Sequence, residues 1–214
     1  MNKTSRILFC CALALILVSF AAAADQFNIG GLQGARTDSG KAVLPPTPIY
    51  TNCGTGCTSY DTGDGYFVAG TGYDGQVLAV SFTTTKKVSL TKVISAGSCY
   101  DGTSDCGKNL EAVIQKDSST GPGKVITTKV VAKVPIWPTS SPLTFKFKKP
   151  VALKAKTKYW LCEQMKASTG SAVAAWMLSS SDTSSDFYFQ DTGSCVASTW
   201  NDADGDTRPA FEIN

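Results

Sequence analysis

The residues with the clearest chemical potential are acids. Asn201 to Asp206 reads N-D-A-D-G-D, placing Asp202, Asp204 and Asp206 at alternate positions. Three carboxylates so close along the chain can converge on a hard, oxygen-seeking cation such as calcium. The segment is not an EF-hand. With Asp202 as the first position, Thr207 stands where that loop needs glycine and Ile213 where it needs a bidentate glutamate. A solvated acidic turn would use the same residues, and a calcium ion here would fix a loop rather than perform chemistry. Asp61, Asp64, Asp101 and Asp105 form a looser Asp/Gly set that could join a similar site.

Catalysis is poorly provided for. The chain contains no histidine, which removes Ser-His-Asp and Cys-His mechanisms, histidine-ligated zinc and the commonest general base. Glycoside hydrolysis by paired carboxylates needs two well-placed acids. The only glutamates are Glu111, Glu163 and Glu212, each in a strand-like run where an outward, solvated carboxylate is the default. Gly70-Thr71-Gly72-Tyr73-Asp74-Gly75 has the spacing G-x-G-x-x-G, but a dinucleotide site needs a helix after it and here a strand follows. The expectation is a protein that is not an enzyme.

Aromatic residues suggest binding instead. Trp137, between Ile136 and Pro138, reads as displayed in a loop, and Tyr73, Tyr100 and Trp200 also lie outside the clearest strand runs. A flat apolar ring beside polar groups suits a sugar, which offers C–H faces for stacking and hydroxyls for hydrogen bonding. Loop packing uses the same residues. Trp160 and Trp176 read as core. Lys146, Lys148, Lys154, Lys156 and Lys158 alternate along two neighbouring runs and are expected on one sheet face, either simply solvated or as a patch for anionic polymers.

These residues must be positioned by a β-framework. Val77 to Thr85, Val88 to Ser95, Leu110 to Lys116 and Val125 to Val134 are dense in Val, Thr, Ile and Phe. Leu143 to Lys148, and then Val151 to Lys156, alternate apolar with polar, each a strand with one wet face. Tyr159 to Met165, Val173 to Leu178, Phe187 to Gln190 and Pro209 to Ile213 complete the set, and no stretch shows capped helical periodicity. Many short strands between Gly, Ser, Asp and Pro turns predict an all-β, antiparallel, jelly-roll-like sandwich.

Residues 1–24 have the form of a secretory signal peptide: Lys3 and Arg6, an apolar run from Ile7 to Phe20, then Ala21 to Ala24. Its removal would take 20 basic residues down to 18 against 17 acidic, a net charge of +1, too weak a field for a nucleic-acid partner. Residues 25–75, rich in Gly, Thr and Asp, are expected to join the domain whose core is 76–214. No transmembrane anchor or sorting tail is expected. Six cysteines remain: Cys53, Cys57, Cys99, Cys106, Cys162 and Cys195. In an exported chain these predict disulfide-clipped loops. Several pairings are open, and the close pairs Cys53/Cys57 and Cys99/Cys106 suggest local clips that leave Cys162 with Cys195. A metal site on Cys53 and Cys57 would lack a second C-x-x-C or a histidine. The mature chain has no N-glycosylation acceptor.

Three stretches together resemble secreted bacterial β-sandwich domains of the choice-of-anchor kind, which are similar to lectin-like and galactose-binding-like modules. They are Gln76 to Thr83 with Val88 to Val93; Leu143 to Phe147 with Pro150 to Ala155 and Lys158 to Leu161; and Ser198 to Trp200 with Arg208 to Ile213. They cover about residues 76–213. The resemblance implies a sandwich fold and association with a surface or matrix. The resulting expectation is a secreted, non-enzymatic module for a glycan or surface polymer, with calcium as the candidate stabilising ion. A structural component of an envelope, matrix or fibre is second, and a carboxylate-based glycoside hydrolase third.

Overall fold

A computed structural model describes residues 47–70, 75–100, 109–131, 133–166, 172–180, 182, 185–196, 199–203 and 207–214. All belong to the unit Leu44–Asn214; the expected signal peptide lies outside the described residues. These residues form twelve strands: β1 (Tyr50–Thr51), β2 (Tyr60–Ala69), β3 (Val77–Thr84), β4 (Val88–Cys99), β5 (Leu110–Ser118), β6 (Gly121–Val130), β7 (Ser141–Leu153), β8 (Thr157–Met165), β9 (Val173–Ser179), β10 (Phe187–Gln190), β11 (Asn201–Asp202) and β12 (Phe211–Ile213). They pair antiparallel in two sheets, an all-β sandwich as the sequence predicts.

The first sheet runs β1-β12-β4-β9-β2, with β7 along the other side of β4. β4 meets β9 over Gly97–Cys99 and meets β12 over Val93–Ser95. The two partners diverge at a fork that Ala210 fills, receiving Ala96 N–H on its carbonyl and donating its own N–H to Met177. Trp176 Nε1 donates to the same carbonyl at 2.9 Å. The second sheet runs β11-β10-β3-β8-β5-β6.

Between the sheets the period-two alternation of β-strands sends Leu78, Val80 and Phe82 of β3, Val93 and Cys99 of β4, Tyr159, Leu161 and Met165 of β8, and Trp176 of β9 into one core, closed by Phe211 and Ile213. Trp160 and Trp176 are fully buried, as expected. Each outer face has its own smaller cluster. On the first sheet, Cys53 and Cys57 pack on Ile94, Ala96, Ala175, Met177 and Ala210. On the second, Cys195 packs on Val77, Ala79, Val113, Trp160 and Cys162.

The disulfides stitch these covers. Cys53–Cys57 closes a tight clip whose turn needs positive φ at Gly54, Gly56 and Cys57. Cys162–Cys195 spans 33 residues and ties the segment after β10 to β8. Cys99 is disulfide-bonded; Cys106 lies outside the described residues.

Three expectations are corrected. The runs around Leu143 and Val151 are not separate strands but the single strand β7. Pro150, which has no N–H to donate, is accommodated because the ladder with β4 breaks register between Leu90/Val151 and Lys92/Lys146. The five lysines do not share a face. Lys146 and Lys148 lie on β7 of the first sheet, Lys154 and Lys156 at its end and turn, and Lys158 on β8 of the second, because the β7–β8 connection crosses between sheets. Glu163 and Glu212 are not solvated, each being 1% exposed. Glu163 shares the inward face of β8 with Tyr159, Leu161 and Met165, and Glu212 lies under the Cys53–Cys57 clip.

Candidate functional site

Phe67, Tyr100 and Trp137 line up on the outer face of the first sheet. Phe67 points outward because Tyr66 and Val68 of the same strand face the core. Across the sheet it registers with Ala175 of β9, and Ala175 with Ser98 of β4. These small side chains leave room for rings above them. Tyr100 follows β4, its N–H bonded to Val173 O at 2.7 Å. The segment before Trp137 runs beside the end of β4 through a parallel bridge between Cys99 and Ile136. Cys99 N–H donates to Pro135 O at 2.7 Å and Trp137 N–H to Cys99 O at 2.9 Å, fixing Trp137 next to Tyr100. The Trp137–Pro138 peptide is cis.

Ring centroids are 4.9 Å apart for Phe67–Tyr100 and 6.2 Å for Tyr100–Trp137, with interplanar angles of 56° and 52°. All three rings are half-buried. Ile136 beside them is 48% exposed, one of two large apolar side chains so displayed among the described residues. The row is an apolar, ridged strip facing outward, flanked on the chain by the exposed Thr139.

Two of the four ring residues singled out in the sequence, Tyr100 and Trp137, thus come together. Trp200 does not join them. It packs on the outer face of the second sheet with Tyr188, its Nε1 buried and without a hydrogen-bond partner among the described residues. Tyr73 lies outside the described residues. Phe67 was not anticipated, although its place between inward-facing Tyr66 and Val68 was the available signal.

The acid sites divide similarly. Asp202 is exposed on β11, paired opposite Tyr188, while Asp204, Asp206, Asp101 and Asp105 lie outside the described residues. Asp61 and Asp64, on β2 of the other sheet, accept the Gly63 and Gly65 N–H groups, each at 2.8 Å. Glu212 accepts from Gly56 N–H and Asn214 Nδ2, each at 2.5 Å. Glu111 accepts from Gln164 Nε2 at 2.8 Å.

Two ionisable groups are strongly perturbed. Burial pushes the Glu163 carboxyl up to about 8, with the Ser95 hydroxyl opposing the shift. Neither Ser95 Oγ nor Glu163 Oε1 has a well-formed hydrogen bond among the described residues. Burial likewise raises Tyr50 to about 12, in a polar knot where its hydroxyl donates to Asp182 at 3.0 Å and contacts Ser185 Oγ at 2.8 Å. Asn52 Nδ2 reaches the same Asp182 oxygen at 3.0 Å. Lys158 is desolvated, which lowers it, but its ion pairs with Asp186 and Asp117 win and leave it raised.

No protein-family model matches the chain, and no curated protein does.

Proposed function

We propose that this protein is a secreted, non-enzymatic binding module that holds carbohydrate on the Phe67–Tyr100–Trp137 row. The observation that carries the reading is the row of three adjacent, half-buried rings with the exposed Ile136 beside them on the outer face of the first sheet. Rings kept partly in water leave apolar area uncovered, at about 25 cal/mol per Å², and a sugar face can cover it while its hydroxyls stay solvated. The resemblance to lectin-like sandwiches and the signal-peptide form of residues 1–24 point the same way. Calcium, if bound, acts through Asp202, Asp204 and Asp206 to steady a loop.

The test is a screen of the purified protein against soluble and insoluble glycans, first with calcium and then with chelator. Saturable binding supports the module, and sensitivity to chelator adds the calcium loop. Absence of binding in both conditions favours a structural role in an envelope, matrix or fibre.

A further inference from the structure

We propose that the cleft between β6 and β7 binds a single-chain anionic amphiphile, a carboxylate on an alkyl tail. β6 closes one end of the second sheet and β7 flanks β4 in the first, so the sandwich is open along this side. The opening is a cavity of about 630 Å³, within the range of small-molecule sites, roughly 300–1,000 Å³. Its floor is Ile126, Phe147 and Val151, all half-buried and packed against the main core. A tail laid there extends that core rather than covering a superficial patch.

Its polar lining includes Lys129, Lys148 and Lys149, none with an acidic partner among the described residues. Lys92 and Lys146, opposite each other on β4 and β7, add to the positive field. The acid in the lining, Glu111, is already engaged by Gln164. Cations above an apolar floor complement a ligand that carries both an anion and a tail.

The edges do not suit an added peptide strand. β7 breaks register with β4 across residues 147–150 and contains Pro150. β6 shifts register against β5 twice and contains Pro122. Strand addition needs a regular run of free backbone groups.

The test is isothermal titration of the purified protein with decanoate below its micelle-forming concentration. Saturable one-to-one binding is expected. Decanol, which has the tail without the charge, should bind at least ~10-fold more weakly. Hexanoate should bind at least ~30-fold more weakly, since each buried methylene contributes roughly fourfold. The triple variant Lys129→Gln/Lys148→Gln/Lys149→Gln, all surface changes, should lose ~10-fold or more while keeping its unfolding midpoint. The near-isosteric Val151→Thr should weaken binding by several-fold, and Trp137→Ala should leave it unchanged. The proposal is overturned by absence of saturable decanoate binding, by undiminished binding in the triple variant, or by binding to phosphatidylglycerol vesicles without binding to decanoate.

Discussion

Each outer face of this sandwich carries a group of aromatic rings beside a disulfide, and the two are buried to different extents. On the second sheet, the fully buried Trp160 meets Tyr188 at 5.1 Å with Trp200 beside them, both of these rings half-buried, and the segment around Cys195 packs on the group. That segment is bonded through its disulfide, through Gln115 Nε2 to Cys195 O at 2.8 Å, and through Cys195 N–H to Gln164 Oε1 at 2.6 Å. On the first sheet, Trp137 packs against the cluster built around the Cys53–Cys57 clip, and Tyr100 and Phe67 continue the row from it, all three rings half-buried. The ring types are similar, so ring identity does not decide the role. What differs is that the second group is built on a fully buried ring, Trp160, whereas none of the three rings in the first row is fully buried.

The contrast can be broken from either side. The largest effect is expected from Trp160→Ala, a fully buried ring whose Nε1 donates to Asp117 at 2.7 Å: about 3–5 kcal/mol of stability lost in urea unfolding. Replacing Cys162 and Cys195 together by alanine should cost roughly 3–4 kcal/mol, because the 33-residue loop regains its freedom in the unfolded chain. The same exchange at Cys53 and Cys57, which closes a far shorter loop, should cost about 2 kcal/mol.

A third perturbation acts between the sheets and should spare both outer faces. The Glu163 carboxyl, raised from 4.5 to about 8, keeps its proton in the folded state while the unfolded chain releases it. Stability is therefore greatest below about pH 4.5 as far as this group is concerned, and declines as pH rises to about 8. Glu163→Gln should flatten that decline and gain on the order of 2–4 kcal/mol at pH 8, read from unfolding midpoints across pH. The smallest stability effect is expected from Trp137→Ala, at about 1 kcal/mol, since the ring is only partly buried, on the outer face beside the Cys53–Cys57 cluster.

How far the sequence reveals this depends on the residue. The strands rich in Val, Thr and Ile are legible because β-branched side chains suit a pleated, buried surface. The first half of β2 was not, because Asp61-Thr62-Gly63-Asp64-Gly65 has turn composition and is held by its pairing with β9 beyond a break in register. The burial of Glu163 was present in its register with Leu161 and Met165, but a glutamate is so seldom buried that composition pointed outward. The lysines misled for the opposite reason: alternation continues through the β7–β8 turn although the chain changes sheet. Trp137 and Trp200 look alike locally, and only long-range pairing puts one beside Tyr100 and the other against the Cys162–Cys195 cluster.

The proposal at stake is that the Phe67–Tyr100–Trp137 row binds and the Trp160–Tyr188–Trp200 group only holds the fold. It is tested most directly by measuring, on one panel of soluble oligosaccharides, the binding of the wild-type protein, Trp137→Ala and Trp200→Ala. The account predicts that Trp137→Ala loses binding at least ~10-fold with its unfolding midpoint nearly unchanged, while Trp200→Ala lowers the midpoint and leaves affinity intact. Binding that survives Trp137→Ala, or falls only with Trp200→Ala, would contradict it.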